Sequence, residues 1–188
     1  MTMASLIQLV NGKFAKIFGS KQKKWEDIEY FPDSWKGRIK QMAEYIPAGS
    51  KLVMDIGCGK MWLKDYLPVN CDYYGVDYTY RGEGSHVFDL NKSEFPELKA
   101  DVIFVSGCLE YINDYNWAIG RFSAGCKRCI ISYCTLENFP DLAERRKLTW
   151  VNDLKQTELI RLFTDHGMEL KETIPTIGKN NFYIFENK

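Results

Sequence analysis

The stretch Val53-Met54-Asp55-Ile56-Gly57-Cys58-Gly59 decides the fold of this 188-residue chain. Its apolar residues predict a short buried strand, and the two glycines predict a tight turn directly after that strand. A strand, a glycine-rich turn and a helix in this order form a site for a nucleotide-type ligand. Glycine lets the backbone approach the ligand, and the helix presents free amide hydrogens to it.

Strands and helices alternate along the chain on the carboxyl side of this turn. The further strands are predicted at residues 73–77, 86–90, 101–106, 128–133, 168–174 and 181–186, and the helices at 114–123 and 155–166. Only residues 78–85 separate the second and third strands, so we expect a loop there and no crossover helix. The last two strands are close enough in sequence to be antiparallel. We therefore predict an α/β fold with a Rossmann-like doubly wound sheet, mostly parallel with an antiparallel last strand.

The first fifty residues have a different pattern, with helices and no strands. Apolar residues recur at helical spacing from Leu6 to Phe18, and no acidic residue precedes Glu26. Such a basic amphipathic helix can make peripheral contact with an anionic membrane, or it can cap the core with its lysines facing water, which we favour. A second helix is predicted over residues 34–46. The expected domains are an N-terminal helical extension over residues 1–50 and a ligand-binding domain over residues 51–188.

The composition narrows the possible partners. Lysine and arginine number 25, as do aspartate and glutamate, so the basic excess typical of duplex-binding proteins is lacking and nucleic acid is an unlikely partner. Cys126 and Cys129 form a CxxC pair without a second pair, so we expect no metal site. No apolar run reaches the roughly 20 residues of a membrane helix. A cytoplasmic protein with reduced thiols is expected.

An acidic residue at the end of the second strand extends the predicted site. Asp77 follows Gly57 by twenty residues. A carboxylate at that place can accept hydrogen bonds from both hydroxyls of a ribose. The glycine turn and Asp77 together predict a site for a ligand that contains a nucleoside.

Segments around these residues resemble the motifs of class I S-adenosylmethionine-dependent methyltransferases, in the order found in that family. The segments are residues 53–59, 74–77, 88–91 and 102–111. The resemblance implies S-adenosylmethionine as the cofactor and S-adenosylhomocysteine as the product, with Asp77 on the ribose and Asp89 beside the adenine amine. The cofactor-binding residues that it implies are Asp55, Gly57, Cys58, Gly59, Asp77, Tyr78, Asp89, Leu90, Ser106 and Gly107.

Two features bear on how the domain would work. Many family members have a third glycine where this chain has Met61, which could crowd the cofactor or reshape the turn. Methyl transfer to a hydroxyl benefits from a general base. Because ligands of such sheets bind at the carboxyl ends of the strands, we consider Glu110, Tyr111 and Tyr133 as catalytic candidates. His86 and His166 are expected to be structural.

The acceptor is expected to be a small molecule or a glycan. The turn after the fourth strand lacks the Asn/Asp-Pro-Pro-aromatic signature with which related enzymes hold an amide or a base amino group. Arg145, Arg146, Lys147 and Trp150 lie where this family often builds a lid, and they could grip an anionic acceptor or form a solvated basic patch. We expect methyl transfer to a hydroxyl of a sugar or another cell-surface precursor. A non-catalytic, cofactor-binding accessory protein and an NAD-dependent oxidoreductase remain alternatives.

Overall fold

The computed structural model describes residues 25–176 and 178–188. The chain divides into two compact units, Met1–Pro32 and Asp33–Lys188. Within the described part of the first unit, the Asp27 carboxylate accepts a hydrogen bond from the Glu29 amide at 3.0 Å and caps the short 3₁₀ helix Ile28–Tyr30. The amphipathic helix predicted near the amino terminus lies outside the described residues.

A seven-stranded sheet forms the centre of the second unit as far as the structure describes it, with the strand order β3-β2-β1-β4-β5-β7-β6. The strands are β1 (Leu52–Ile56), β2 (Asp72–Asp77), β3 (Ser85–Val87), β4 (Ala100–Ser106), β5 (Cys126–Tyr133), β6 (Met168–Ile174) and β7 (Asn181–Asn187). The first five strands pair in parallel, whereas β7 runs antiparallel to both β5 and β6. The predicted sheet with an antiparallel last strand is thus confirmed.

Both faces of the sheet are covered, because the central strands bury the side chains of each face. In β4, Val102 and Phe104 belong to one apolar cluster, while Ile103 and Val105 belong to the other. The α-helices of the described part of the second unit are α1 (Trp35–Ala43), α2 (Tyr115–Gly125), α3 (Leu142–Lys147) and α4 (Gln156–Asp165). α1 contributes Met42 and Ala43 to the cluster of Phe104, and α2 and α4 cover the opposite face.

The amino-terminal half of the sheet differs from the prediction in one connection. The helix expected after the glycine turn is a five-residue 3₁₀ helix, Trp62–Tyr66. This single tight turn packs Leu63 into the core. Between β2 and β3 the predicted loop is confirmed.

The carboxyl-terminal half follows the predicted elements closely. Gly167 ends α4 with φ of +88°, a value that glycine adopts without strain. The predicted division into residues 1–50 and 51–188 stays a prediction. In the unit Asp33–Lys188, however, α1 packs on the sheet, so this helix shares the core of the larger domain.

Candidate active site

The turn after β1 brings backbone atoms close together at the carboxyl edge of the sheet. The amides of Gly57 and Cys58 donate to the Val76 carbonyl of β2 at 2.8 and 3.1 Å. Gly57 has φ of +71°, and a Cβ atom there would lie 2.7 Å from the Cys108 sulfur. Glycine is therefore required at this position both by the backbone angle and by the close approach of Cys108.

Met61 ends this turn in the left-handed region, with φ of +54°. Its terminal methyl group lies beside Gly82, because a Cβ atom on Gly82 would be only 3.2 Å from the Met61 methyl carbon. The Met61 side chain thus packs on the link between β2 and β3.

The predicted ribose carboxylate, Asp77, is buried at the end of β2 and is surrounded by donors. The Gly59 amide donates to Oδ2 at 3.1 Å, and the Thr79 amide donates to Oδ1 at 3.4 Å. Arg81 contacts both oxygens, with Nη2 donating to Oδ1 at 3.2 Å and Nε lying 3.2 Å from Oδ2. Three hydrogen bonds and the ion pair with Arg81 thus involve both carboxylate oxygens of Asp77.

Arg81 is a site residue that the sequence analysis missed. Its side chain is 2% exposed, and its guanidinium carbon also lies 5.7 Å from the centre of the Tyr78 ring. It reaches Asp77 from within the loop of residues 78–84. The four-residue spacing in a non-helical segment does not by itself indicate an ion pair, since side chains three or four apart meet reliably only on helices. A ribose at Asp77 would have to replace the Arg81 contacts.

A second buried carboxylate, Asp55, lies beside Asp77. The Tyr73 hydroxyl donates to Asp55 Oδ2 at 2.8 Å. Burial, reinforced by the charge of Asp77, raises the pKa of Asp55 from 3.8 to about 7, although the Tyr73 hydrogen bond opposes this rise. The turn between β1 and β2 therefore has an acidic interior, with Arg81 as its counter-charge.

The raised pKa of Asp55 should make the stability of the protein depend on pH. The carboxyl group binds its proton more tightly in the folded chain than in the unfolded chain. Its contribution to the free energy of unfolding is therefore fully present below pH 3.8 and is lost as the pH rises to about 7. Asp55→Asn removes this titration and keeps the shape of the side chain.

We expect the melting temperature of Asp55→Asn, followed by circular dichroism, to fall less than that of the wild type between about pH 5 and about pH 8. Asp72→Asn, a change at an exposed position of β2, is the matched control and should follow the wild-type curve. Parallel curves for Asp55→Asn and the wild type would show that Asp55 does not titrate in this range.

Asp89 and Leu90 follow β3, and the structure assigns both a local role. The Asp89 carboxylate accepts from the Asn91 amide at 3.0 Å, which caps the 3₁₀ helix Leu90–Lys92. Lys92 pairs with the other Asp89 oxygen at 3.3 Å. Leu90 is buried in the core. β3 ends at Val87, before the predicted strand boundary, because Asp89 begins this helical turn.

Ser106 and Gly107 end β4, where an arginine of α1 reaches them. Arg38 Nε donates to the Ser106 hydroxyl oxygen at 3.1 Å. A Cβ atom on Gly107, whose φ is +64°, would lie 2.9 Å from Arg38 Nη2. Arg38 was missed from sequence because 68 residues separate it from Ser106.

Glu110 is buried directly after β4, with a relative exposure of 1%. Its Oε1 accepts from the Cys134 amide at 3.0 Å and from Asn180 Nδ2 at 3.1 Å. Among the residues that the structure describes, its Oε2 has no hydrogen-bond partner. Burial raises the pKa of Glu110 above its ordinary value, while Arg38 and Arg145 act in the opposite direction.

The two tyrosines among the catalytic candidates have different surroundings. Tyr111 is partly exposed, and burial together with the charge of Glu110 raises the pKa of its hydroxyl. The Tyr133 hydroxyl is fully buried, donates to Asn152 Oδ1 at 2.7 Å and accepts from the Leu154 amide at 2.9 Å. A catalytic role for Tyr133 stays a prediction, and these hydrogen bonds favour a structural one.

The central residue of the basic segment after β5, Arg145, is neither exposed to solvent nor free to bind an acceptor. Arg145 is 0% exposed and donates to the carbonyl groups of Cys134 and Phe139 and to Asp153. Arg146 donates to the Trp150 carbonyl and pairs with the same Asp153. The acceptor-binding role considered for these arginines is wrong for Arg145, because its donors are used inside the protein.

The remaining expectations concern histidines, thiols, metals and membranes. His86 stacks on the Tyr74 ring with centroids 3.8 Å apart, and His166 lies within hydrogen-bonding distance of Asn116. The six cysteines are free thiols. In residues 25–176 and 178–188, no group of histidine, cysteine, aspartate or glutamate side chains could hold a metal ion. No helix within the described part of the chain is both long enough and apolar enough to cross a membrane.

Solved structures with this fold come from several methyltransferases. The magnesium protoporphyrin IX methyltransferase of Synechocystis PCC 6803, with bound S-adenosylhomocysteine, has a TM-score of 0.67 and 16% identity over 81% of this chain and 83% of that chain. The N-methyltransferase NodS of Bradyrhizobium japonicum WM9 has a TM-score of 0.61 and 14% identity over 81% and 85% of the two chains. An O-methyltransferase of neocarzinostatin biosynthesis has a TM-score of 0.62 and 15% identity, covering 79% of this chain and 52% of its own.

The comparison of sequences gives the family. A search of curated protein sequences found no significant match. The model of the methyltransferase domain family matches residues 25–170, which include β1 to β5 and the residues around Asp77. Together with the strand order, this match confirms the resemblance and the enzyme class expected from the sequence. The chain belongs to the methyltransferase domain family.

Proposed function

We propose that this protein transfers the methyl group of S-adenosylmethionine to a hydroxyl group of a small-molecule acceptor, a sugar or another cell-surface precursor. The observation that carries the proposal is the position of Asp77. It ends β2 with its carboxylate against the Gly59 amide, so the ribose-binding acid and the glycine turn form one continuous surface.

The residues at the carboxyl edge of the sheet fit the parts of this cofactor. Asp77 would bind the ribose hydroxyls, and Asp89 would face the adenine amine. The turn at Gly57 and Gly59 would let the backbone approach the methionine portion, and Ser106 and Gly107 would border the sulfonium. The cofactor is cationic at its sulfonium and its amino group, which suits a site that contains Asp55 and Asp77.

The cofactor and the protein would contribute different parts of the methyl-transfer reaction. S-adenosylmethionine supplies an electrophilic methyl group, so the protein has to hold the acceptor hydroxyl in line with it and exclude water. We propose Glu110 as the group that accepts the hydroxyl proton. Its raised pKa brings it nearer to working pH than an ordinary glutamate, and Asn180 orients it through Oε1.

The oxidoreductase alternative is disfavoured by three structural features. NAD-binding folds of the Rossmann type have the strand order 3-2-1-4-5-6, whereas β7 here lies antiparallel between β5 and β6. The pyrophosphate of NAD binds at the start of a full helix, but this turn leads into the five-residue 3₁₀ helix Trp62–Tyr66. A dianionic pyrophosphate would also meet the acidic interior at Asp55 and Asp77.

Calorimetric titration with S-adenosylhomocysteine, S-adenosylmethionine and NAD tests this proposal. We expect micromolar affinity for the first two ligands and none for NAD, followed by methyl transfer when sugars and nucleotide sugars are supplied with S-adenosylmethionine. Binding of NAD in place of S-adenosylhomocysteine would refute the proposal. Tight cofactor binding without turnover on any hydroxyl acceptor would favour the non-catalytic accessory protein.

A further inference from the structure

A cavity of about 650 Å³ lies between α1 and the link that joins β6 to β7. Its volume suits a ligand of the size of a sugar or a small metabolite. The side chains that determine its chemistry are Trp35, Arg38, Gln41, Tyr45, Lys179 and Asn180. β7 begins opposite the end of β5, since Asn181 pairs with Tyr133, so the part of the cavity wall formed by Asn180 lies near the carboxyl end of β5.

α1 separates this cavity from the core through the spacing of its residues. Ile39, Met42 and Ala43 pack into the apolar cluster of the sheet. Trp35 and Arg38 line the cavity and are three residues apart on the helix, which places them next to each other along the cavity wall. The helix therefore presents an aromatic ring and a guanidinium group to the cavity.

Arg38 has hydrogen-bonding capacity that the protein does not use. Its Nε donates to Ser106, and its guanidinium carbon lies 5.4 Å from the centre of the Trp35 ring. Among the described residues, no hydrogen bond or ion pair is made by Nη1 or Nη2. Burial lowers the pKa of Arg38, and the charges of Glu110 and Tyr111 oppose that shift. A partly buried guanidinium with both terminal nitrogens unused suits a carboxylate or phosphate, which it can bind through paired hydrogen bonds.

The opposite wall of the cavity carries a second cation. Lys179 Nζ lies 3.5 Å from the centre of the Phe139 ring, and it forms no salt bridge with the described acidic side chains. Glu44 is the one acidic residue among those that line the cavity in the described structure, and it is exposed. With Arg38 and the exposed Lys179 against Glu44, the residues that line the cavity carry an excess of positive charge.

The cavity is also connected to the proposed general base. Asn180, a wall residue, donates to Glu110 Oε1 at 3.1 Å. Arg38, on the other wall, lies close enough for the charge of Glu110 to act on it. Arg38 also touches Ser106 and Gly107, which border the proposed sulfonium site. A ligand in this cavity would therefore lie against two wall residues, Asn180 and Arg38, that contact the proposed general base and the proposed sulfonium site.

We infer that this cavity is the acceptor site and that the acceptor carries a negatively charged group, a carboxylate or a phosphate, bound by Arg38 and Lys179. The inference rests on the proposed methyl transfer and narrows its acceptor to anionic small molecules. The anionic group would anchor the acceptor and leave a hydroxyl free to face the methyl donor.

Saturation-transfer NMR on protein saturated with S-adenosylhomocysteine tests the inference with three probes of similar size: glucuronate, glucose 1-phosphate and neutral glucose. We expect saturable binding of at least one anionic probe and none of glucose at the same concentration. Which anion binds identifies a carboxylate or a phosphate as the charged group. Arg38→Gln and Lys179→Gln should each weaken this binding roughly tenfold or more, because each removes a charge-assisted hydrogen bond.

Arg161→Gln is the matched control, since it removes one exposed positive charge on α4 and should leave the binding unchanged. Equal response to glucose and the anions, or no response to any probe, overturns the inference while cofactor binding stands. Anion binding that disappears on saturation with S-adenosylhomocysteine also overturns it and assigns Arg38 to the cofactor carboxylate. If S-adenosylhomocysteine does not bind, the proposed function fails, and the same titration of the free protein decides whether the anion site exists.

Discussion

Replacing Asp77 with asparagine is expected to lower the affinity for S-adenosylhomocysteine at least about 100-fold. The amide has one acceptor oxygen and no charge, so it cannot present a separate, negatively charged oxygen to each ribose hydroxyl. Hydrogen bonds to a charged group contribute about 1.5–3 kcal/mol each, and the loss of two of them corresponds to this factor. Asparagine is preferable to alanine here because it keeps the volume of the side chain beside Arg81.

Arg81→Ala should change the same affinity in the opposite direction. In the present structure Arg81 occupies positions on both Asp77 oxygens that the ribose hydroxyls require. Binding of the cofactor would then require the Arg81–Asp77 ion pair to open. The free energy of opening this pair is subtracted from the free energy of binding, so the observed affinity is lower. Removing Arg81 is expected to tighten binding by roughly tenfold.

Both variants are measured by calorimetry, with melting temperatures recorded to show that each is folded. Asp72→Asn, an exposed position on the same strand, is the control and should bind like the wild type. Unchanged affinity in folded Asp77→Asn would remove Asp77 from the cofactor site. Weaker binding by Arg81→Ala would show that Arg81 supports the bound cofactor and does not compete with it.

The sequence was sufficient for the parts of the fold that depend on local pattern. Apolar runs located the strands, and the residues at their carboxyl ends, such as Asp55 and Asp77, lie side by side because parallel strands end at one edge. The antiparallel β7 followed from the short link before it. These features depend on residues that are close in sequence or on the regular geometry of the sheet.

The features that were not predicted depend on contacts between distant or irregular segments. Arg81 reaches Asp77 from an irregular loop, in which Gly82 lies beside the Met61 side chain. Arg38 contacts Ser106, which lies 68 residues later in the chain, and the sequence pattern of neither segment indicates this contact. The link from β1 to β2 contains a five-residue 3₁₀ helix, Trp62–Tyr66, where a full helix was expected.

Arg145 shows the same limit most clearly, because a charged residue in a basic segment is ordinarily exposed. Here its guanidinium is fully buried and bridges three parts of the chain. Nη1 donates to the Cys134 and Phe139 carbonyl groups at 3.0 and 3.2 Å, Nη2 to the Asn152 carbonyl at 3.2 Å, and Nε to Asp153 at 2.6 Å. The Trp150 ring covers it, 4.8 Å from the guanidinium carbon to the ring centre.

Arg145→Ala is therefore expected to lower the free energy of unfolding by about 3–5 kcal/mol, the range found when one partner of a buried ion pair is removed. Urea denaturation measures this change. Arg146→Ala is the matched control, because Arg146 pairs with the same Asp153 but its side chain is 44% exposed. We expect it to lower the free energy of unfolding by less than about 1 kcal/mol. Equal effects of the two substitutions would mean that the buried hydrogen bonds of Arg145 add nothing beyond its charge. A large difference would show that Arg145 fixes the segment that follows β5, and with it the position of the Cys134 amide that donates to Glu110.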